Sequence, residues 1–212
     1  MHHWISEFGI SFCMDGILVV EIAETDPRGL PWGRAVQVAA CRLEPEDGFY
    51  EAVLSDTVMA DPRDLGKAAL DRLSDVYGIS AEALYMGEDE RMVADRVRKA
   101  LSGSECISFD VGLVFGGYLS YEPWDLAGEV TLYPSMSRFL PAQAVPLVGE
   151  AVDPLAKAYS VLCPGDPAEV GGGKGAEDRA RMSASVLSAL VCAGLFRGAQ
   201  ALFAKVKKRF AK

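Results

Sequence analysis

The sequence predicts an α/β protein: a mixed five-stranded sheet, three antiparallel strands followed by two parallel ones, flanked by helices. Three observations predict it. Residues 17–23 (ILVVEIA), 35–43 (AVQVAACRL) and 48–55 (GFYEAVLS) are β-like runs whose links, DPRGLPWG and EPED, are short and rich in turn residues, which favours an antiparallel meander. The period then changes, with Leu65, Ala68, Ala69, Leu73 and Val76 on one helical face and Met92, Val93, Val97, Ala100 and Leu101 on another. Two short apolar runs, 105–109 (ECISF) and 130–133 (VTLY), each follow a helical segment and so belong to a parallel part of the sheet.

Each remaining element has local support. Residues 1–15 hold aromatic residues without a period and are assigned to an N-terminal arm or extra strand, ahead of one domain over 16–195. Between the two helical faces, YGISAEAL supplies Gly78 as a helix stop and Ser80 as the N-cap of a short helix. After Pro141 the chain is loop-like, until DPLAKAYSVL opens with Asp153 as N-cap and Pro154 at the first helical position. CPGDPAEVGGGKG reads as a loop; its Lys174 follows no strand and lacks the G-K-[ST] ending of a phosphate cradle. The last helical stretch starts near Ala176 and is interrupted around 194–198. Residues 196–212 form a basic C-terminal helix, with Lys205, Lys207, Lys208, Arg209 and Lys212 and no acid. That charge suits a solvated face at the negative end of the helix dipole, or else a nucleic-acid or partner contact.

With 212 residues, half of them hydrophobic, the chain can bury the core of one domain. Its net charge of -9 opposes any coating of nucleic acid or anionic membrane by bulk electrostatics. The five cysteines, Cys13, Cys41, Cys106, Cys163 and Cys192, form no C-x-x-C pair, so reduced thiols in a cytoplasm are expected rather than zinc. No apolar stretch reaches about 18 residues without a charge, and the first 15 residues carry Glu7 and Asp15 with no basic start. A cytoplasmic protein with no membrane partner is the expectation.

The stretch ILVVEIAETD, 17–26, delivers Glu21, Glu24 and Asp26 at the end of an apolar strand, where many nucleases present metal ligands. Together with three other segments it resembles the DnaQ-like (DEDD) 3'-5' exonucleases of the RNase H-like superfamily. VVEIAET stands at the first motif, an aspartate and a glutamate two residues apart followed by threonine. YGISAEAL is similar to the family's "hGIt-e-l" segment, and SFDVGLVFGGYL to the second motif, an asparagine followed four residues later by an aspartate. DPLAKAYSVL and EDRARMSASVLSAL are similar to the closing pattern, a short helix and then "aHRA-x-x-DA". The resemblance covers about 17–190 and implies an RNase H-like fold.

The resemblance further implies hydrolysis at a nucleic-acid 3' end by two Mg2+ or Mn2+ ions, held by four acids with a His or Tyr as general base. In this sequence Glu21 matches the first aspartate and Ala23 the paired glutamate. Asp110 takes the asparagine's place and Val114 that of the catalytic aspartate. Asp178 stands for the general-base histidine and Ser183 for the last aspartate; the only histidines are His2 and His3. Ala23, Val114 and Ser183 are thus degenerate positions, and Val114 would help to close the pocket. Glu24 cannot substitute, because three positions along a strand it points away from Glu21.

Two functions follow. The first is a catalytically inactive exonuclease-like protein that binds or scaffolds, with no cofactor, its partner a nucleic-acid 3' end or a protein. The alternative is an active metal-dependent 3'-5' exonuclease with a remodelled Mg2+ or Mn2+ site of Glu21, Asp110 and Asp178, in which Glu21 is the metal ligand. The same acids also suit plainer roles: Asp110 as an N-cap, Asp178 as a first-turn acid, Glu21 as an acceptor for a neighbouring loop. Trp32, in the link after the first strand, is the candidate for stacking on a base or for anchoring its loop, and Trp124 is expected to pack.

Overall fold

The first strand, β1 (Ile17–Glu24), is buried along its whole length, which is why its sequence is continuously apolar instead of alternating. The computed structural model describes residues 17–43, 50–166 and 174–196, so the arm assigned to 1–15 and nearly all of the basic helix assigned to 196–212 lie outside the described residues. β1 is the centre of a five-stranded sheet of order β3-β2-β1-β4-β5, with β2 at Ala35–Leu43, β3 at Tyr50–Thr57, β4 at Glu105–Ile107 and β5 at Thr131–Leu132. β1, β2 and β3 pair antiparallel, while β1–β4 and β4–β5 are parallel. The mixed sheet expected from link lengths and helical crossovers is the one observed. The parallel strands are shorter than their apolar runs; Phe109 and Asp110 already turn into the next helix.

Helices α1 (Lys67–Asp75), α2 (Ala81–Tyr85) and α3 (Glu90–Leu101) follow β3. Gly78, at φ +62°, makes the turn after α1, and the Ser80 hydroxyl accepts from the Ala83 N–H at 3.1 Å to cap α2. On α3 the buried stripe is Val93, Ala94, Val97 and Leu101. Met92, assigned to that face from sequence, is 57% exposed. A stripe through 93, 97 and 101 leaves position 92 about 100° away around the helix, and Ala94 fills the flank instead. Between β4 and β5 the chain forms a π-helix, Gly112–Leu119, wider than an α-helix. Two more α-helices follow among the described residues, α4 (Pro154–Leu162) and α5 (Gly175–Cys192).

Strand alternation sends β1 side chains into two layers. Ile17 and Val19, with Ala39 and Cys41 of β2, face α4 and α5. Leu18, Val20 and Ile22, with Val38 and Ala40, face α3 and the π-helix, and Trp124 packs in this second layer. A smaller cluster joins Ala23 and Val36 to Leu73, Tyr77, Ile79 and Leu84 of the α1–α2 region. The β1–β2 loop is pinned to the π-helix: the Leu30 N–H donates to the Gly117 carbonyl at 3.1 Å, and the Tyr118 hydroxyl donates to the Asp26 carbonyl. Gly29 fits there because its φ is +82° and a Cβ would come within 3.0 Å of the Gly117 backbone. Among the described residues no helix is long and apolar enough to cross a membrane.

Candidate functional site

Glu21 lies on the β1 face that α5 covers, and it is 4% exposed. A carboxyl group there must be hydrogen-bonded, because unmatched burial of a polar group costs on the order of 1–3 kcal/mol or more. Both donors converge on Oε1: the Phe109 backbone N–H at 2.7 Å, from the end of β4, and the Ser183 hydroxyl at 2.7 Å, from α5. Burial pushes the Glu21 pKa from 4.5 up to about 7; the positive charge of Arg179 and the two hydrogen bonds pull it back only in part, and the negative charge of Asp153 adds to the rise.

Arg179 stands at the arginine of the closing pattern and Asp153 at the start of α4, but neither was assigned to the site from sequence. Asp153 caps α4 by accepting from the Ala156 N–H at 3.2 Å, and both of its oxygens receive the Arg179 guanidinium, at 2.8 and 3.3 Å. The guanidinium also lies over the Tyr77 ring, 5.3 Å from its centroid, and Arg72 lies 5.5 Å from the same centroid. The signal available in sequence was an arginine among the buried residues Ala176, Ala180 and Ser183 on a helix, a position where a charge is kept only if paired.

The other acids of the first strand go elsewhere. The register shifts at Ala23/Glu24, and Glu24 turns to α1, where Arg72 donates through Nε at 3.1 Å and the Tyr77 hydroxyl donates to the second oxygen. Asp26 holds Arg28, whose Nε donates at 2.9 Å; those hydrogen bonds lower the Asp26 pKa to about 2. Of the initial cluster, only Glu21 touches one of the motif positions, Ser183.

The grouping of Glu21, Asp110 and Asp178 expected for a remodelled metal site is not assembled. Among the described residues no three of His, Cys, Asp and Glu stand close enough to hold one ion. The Asp110 side chain is exposed and accepts from the Leu113 N–H at 3.2 Å, and Asp178 accepts from the Lys174 N–H at 3.3 Å; both carboxylates occupy helix N-termini, where the backbone offers free donors. Val114, expected to close the pocket of Glu21, is buried instead in the second layer with Leu18, Val20 and Ile22, because the π-helix after β4 packs on that side of the sheet. Ala23 sits against the α1–α2 cluster. Ser183 alone of the degenerate positions touches Glu21. The groups at this place do not fit a two-metal centre: one carboxyl group with an oxygen already accepting two hydrogen bonds, a hydroxyl, and an arginine that brings positive charge. Trp32 is 62% exposed on the β1–β2 loop, with the Arg28 guanidinium stacked 5.4 Å from its ring centroid.

Solved structures that share this architecture are nucleases. The chain is similar to cell-death related nuclease 4, with a TM-score of 0.56 and 14% identity over 85% of this chain and 64% of that one. It is similar to E. coli Exonuclease I, solved with a dA16 oligonucleotide, with a TM-score of 0.54 and 12% identity over 85% of this chain and 42% of that one. A full-length 3'-exonuclease gives a TM-score of 0.54 and 12% identity over 85% and 62%. These likenesses carry the fold: the chain has an RNase H-like, exonuclease-like α/β fold. It spans 42% to 64% of the length of these three proteins. No protein-family model and no curated protein matches the sequence.

Proposed function

We propose that this chain is a catalytically inactive exonuclease-like protein that binds or scaffolds, and that needs no metal. The observation that carries the reading is the Glu21 carboxyl group, closed off by Ser183 and the Phe109 backbone and faced by an arginine. A two-metal hydrolase needs several unencumbered carboxylates to offset the dehydration of its ions, and a single carboxyl group that already accepts two hydrogen bonds is too few. The nucleic-acid 3' end is the partner favoured over a protein, because one neighbour was solved with an oligonucleotide and because the Trp32–Arg28 pair offers an exposed aromatic face on which a base can stack. The net charge of -9 keeps such binding weak and local.

The test is calorimetric titration with Mn2+, with a 5'-labelled single strand incubated in parallel. The expected result is no metal binding at micromolar level and no shortening of the strand. Micromolar Mn2+ binding together with shortening from the 3' end would overturn the reading in favour of the remodelled site of Glu21, Asp110 and Asp178. A gel shift that weakens with salt, and weakens further in Trp32→Ala, is expected for the binding role; a strand bound equally well by that variant would remove Trp32 from it.

A further inference from the structure

The chain leaving β3 and the chain leaving α2 run side by side, and backbone hydrogen bonds lock them together. The Met59 N–H donates to the Glu88 carbonyl at 2.7 Å, the Ala60 N–H to the Leu84 carbonyl at 3.1 Å, and the Glu88 N–H to the Thr57 carbonyl at 2.9 Å. Gly87 is pressed against the same backbone, where a Cβ would come within 2.5 Å of the Met59 nitrogen. Val58, Ala60 and Leu84 turn inward and are buried, and their chain neighbours Met59, Tyr85 and Met86 are left in solvent. Met86 is 80% exposed. The Tyr85 hydroxyl donates to Asp61 at 2.8 Å, which ties its ring across to the first segment.

Single exposed apolar residues are ordinary, but two methionines and a tyrosine held on one braced backbone make a contact surface with little freedom left to lose. Tyrosine and methionine are both enriched where protein partners meet, and the unbranched thioether adapts to apolar side chains of differing shape.

Charge selects the partner. Segments 56–64 and 80–90, which form the patch and its surround, carry seven acids and one base, Arg63. Arg63 is held by Asp61, and Arg96 and Arg34, which reach in from elsewhere, are held by Asp56, Glu88 and Glu90. An excess of acid remains, which repels a phosphate backbone and attracts a basic protein segment.

We propose that Met59, Tyr85 and Met86 are the docking surface for a basic protein segment with one apolar face. Its apolar side chains lie on the two methionines, and its lysines or arginines face Glu82 and Glu88. The surface is built on elements other than the β1–β2 loop of Trp32 and does not depend on an oligonucleotide contact.

The probe is a synthetic leucine–lysine peptide patterned as an amphipathic helix, titrated into the full chain with isotope-labelled methionine methyl groups and followed by NMR. The Met59 and Met86 resonances are expected to shift and saturate, while those of the buried Met136 and Met182 stay in place. Met59→Gln with Met86→Gln, altered only at exposed positions, should weaken binding at least tenfold, and Glu82→Lys should weaken it as well. A scrambled peptide of the same composition, with no apolar face, should bind at least tenfold more weakly than the patterned one. Equal binding of the two peptides, binding unchanged in the methionine double variant or in Glu82→Lys, or loss of binding in Trp32→Ala would overturn the proposal. So would Met59 and Met86 shifts that arise on raising the protein concentration without peptide, which means a second copy, or shifts that a single-stranded oligonucleotide produces and the peptide does not, which means a nucleic-acid contact.

Discussion

Glu21 is the buried carboxyl group of the candidate site, and its pH dependence is a direct readout. Its folded pKa, about 7, lies above the value of 4.5 that it has when solvated. The folded state therefore binds the extra proton between those values, so the stability that this group contributes is fully present below about 4.5 and is lost as pH rises through about 7. Glu21→Gln keeps an oxygen for the Phe109 N–H and the Ser183 hydroxyl and removes the titration. Urea midpoints should match those of the wild type below pH 4.5 and exceed them by up to roughly 3 kcal/mol at pH 8. A gap between the two proteins that did not change with pH would show that the Glu21 pKa is the same in the folded and unfolded states. At this scale the sequence singled out Glu21 and Ser183 by a resemblance to motif positions, and the two are in contact. Arg179 and Asp153 escaped, because 26 residues separate the partners and only packing of α4 on α5 brings them together.

At the scale of elements, the contact between the β1–β2 loop and the π-helix is a close approach of two backbones, made by Gly29 and Gly117. Gly29→Ala puts a Cβ into 3.0 Å contact with backbone atoms that cannot rotate away, at a φ that alanine avoids. The expected cost is about 1–2 kcal/mol, seen as a lower urea midpoint at unchanged slope. Binding of a single strand should weaken in parallel, because this loop carries Trp32; an unchanged midpoint would mean that the loop is not anchored through Gly29. Strand and cap assignments were legible in the chain because they depend on local chemistry: β2 has its predicted bounds, and Ser80 and Asp153 cap as read. The π-helix was not legible, since no residue type marks its width; Phe115, Tyr118 and Leu119 are buried from it in the second layer with Leu18, Val20 and Ile22.

For the whole molecule, one sheet serves as the wall shared by both layers, with adjacent residues of β1 buried in opposite ones. Neither layer keeps a core if β1 leaves, so unfolding is expected to be a single transition. Fluorescence from Trp124, buried in the second layer, should report the same midpoint as far-UV circular dichroism. Leu187→Ala, in the first layer, should shift both together by about 2–5 kcal/mol. Separated transitions would break the assignment of 16–195 to one domain. The acidic balance acts at this scale too, by opposing any oligonucleotide contact beyond a local one.

The sequence by itself determined the sheet and its strand directions, the caps, and the absence of carboxylates at positions 23, 114 and 183, because these follow from residue type, period and link length. Only the tertiary structure decided what the surviving acids do. Glu21, Asp110 and Asp178 come from three elements far apart in the chain, and whether they meet depends on where each backbone turns and which donors it leaves free. Asp110 and Asp178 found unsatisfied N–H groups at the nearest helix start, while Glu21, buried between β4 and α5, took Phe109 and Ser183.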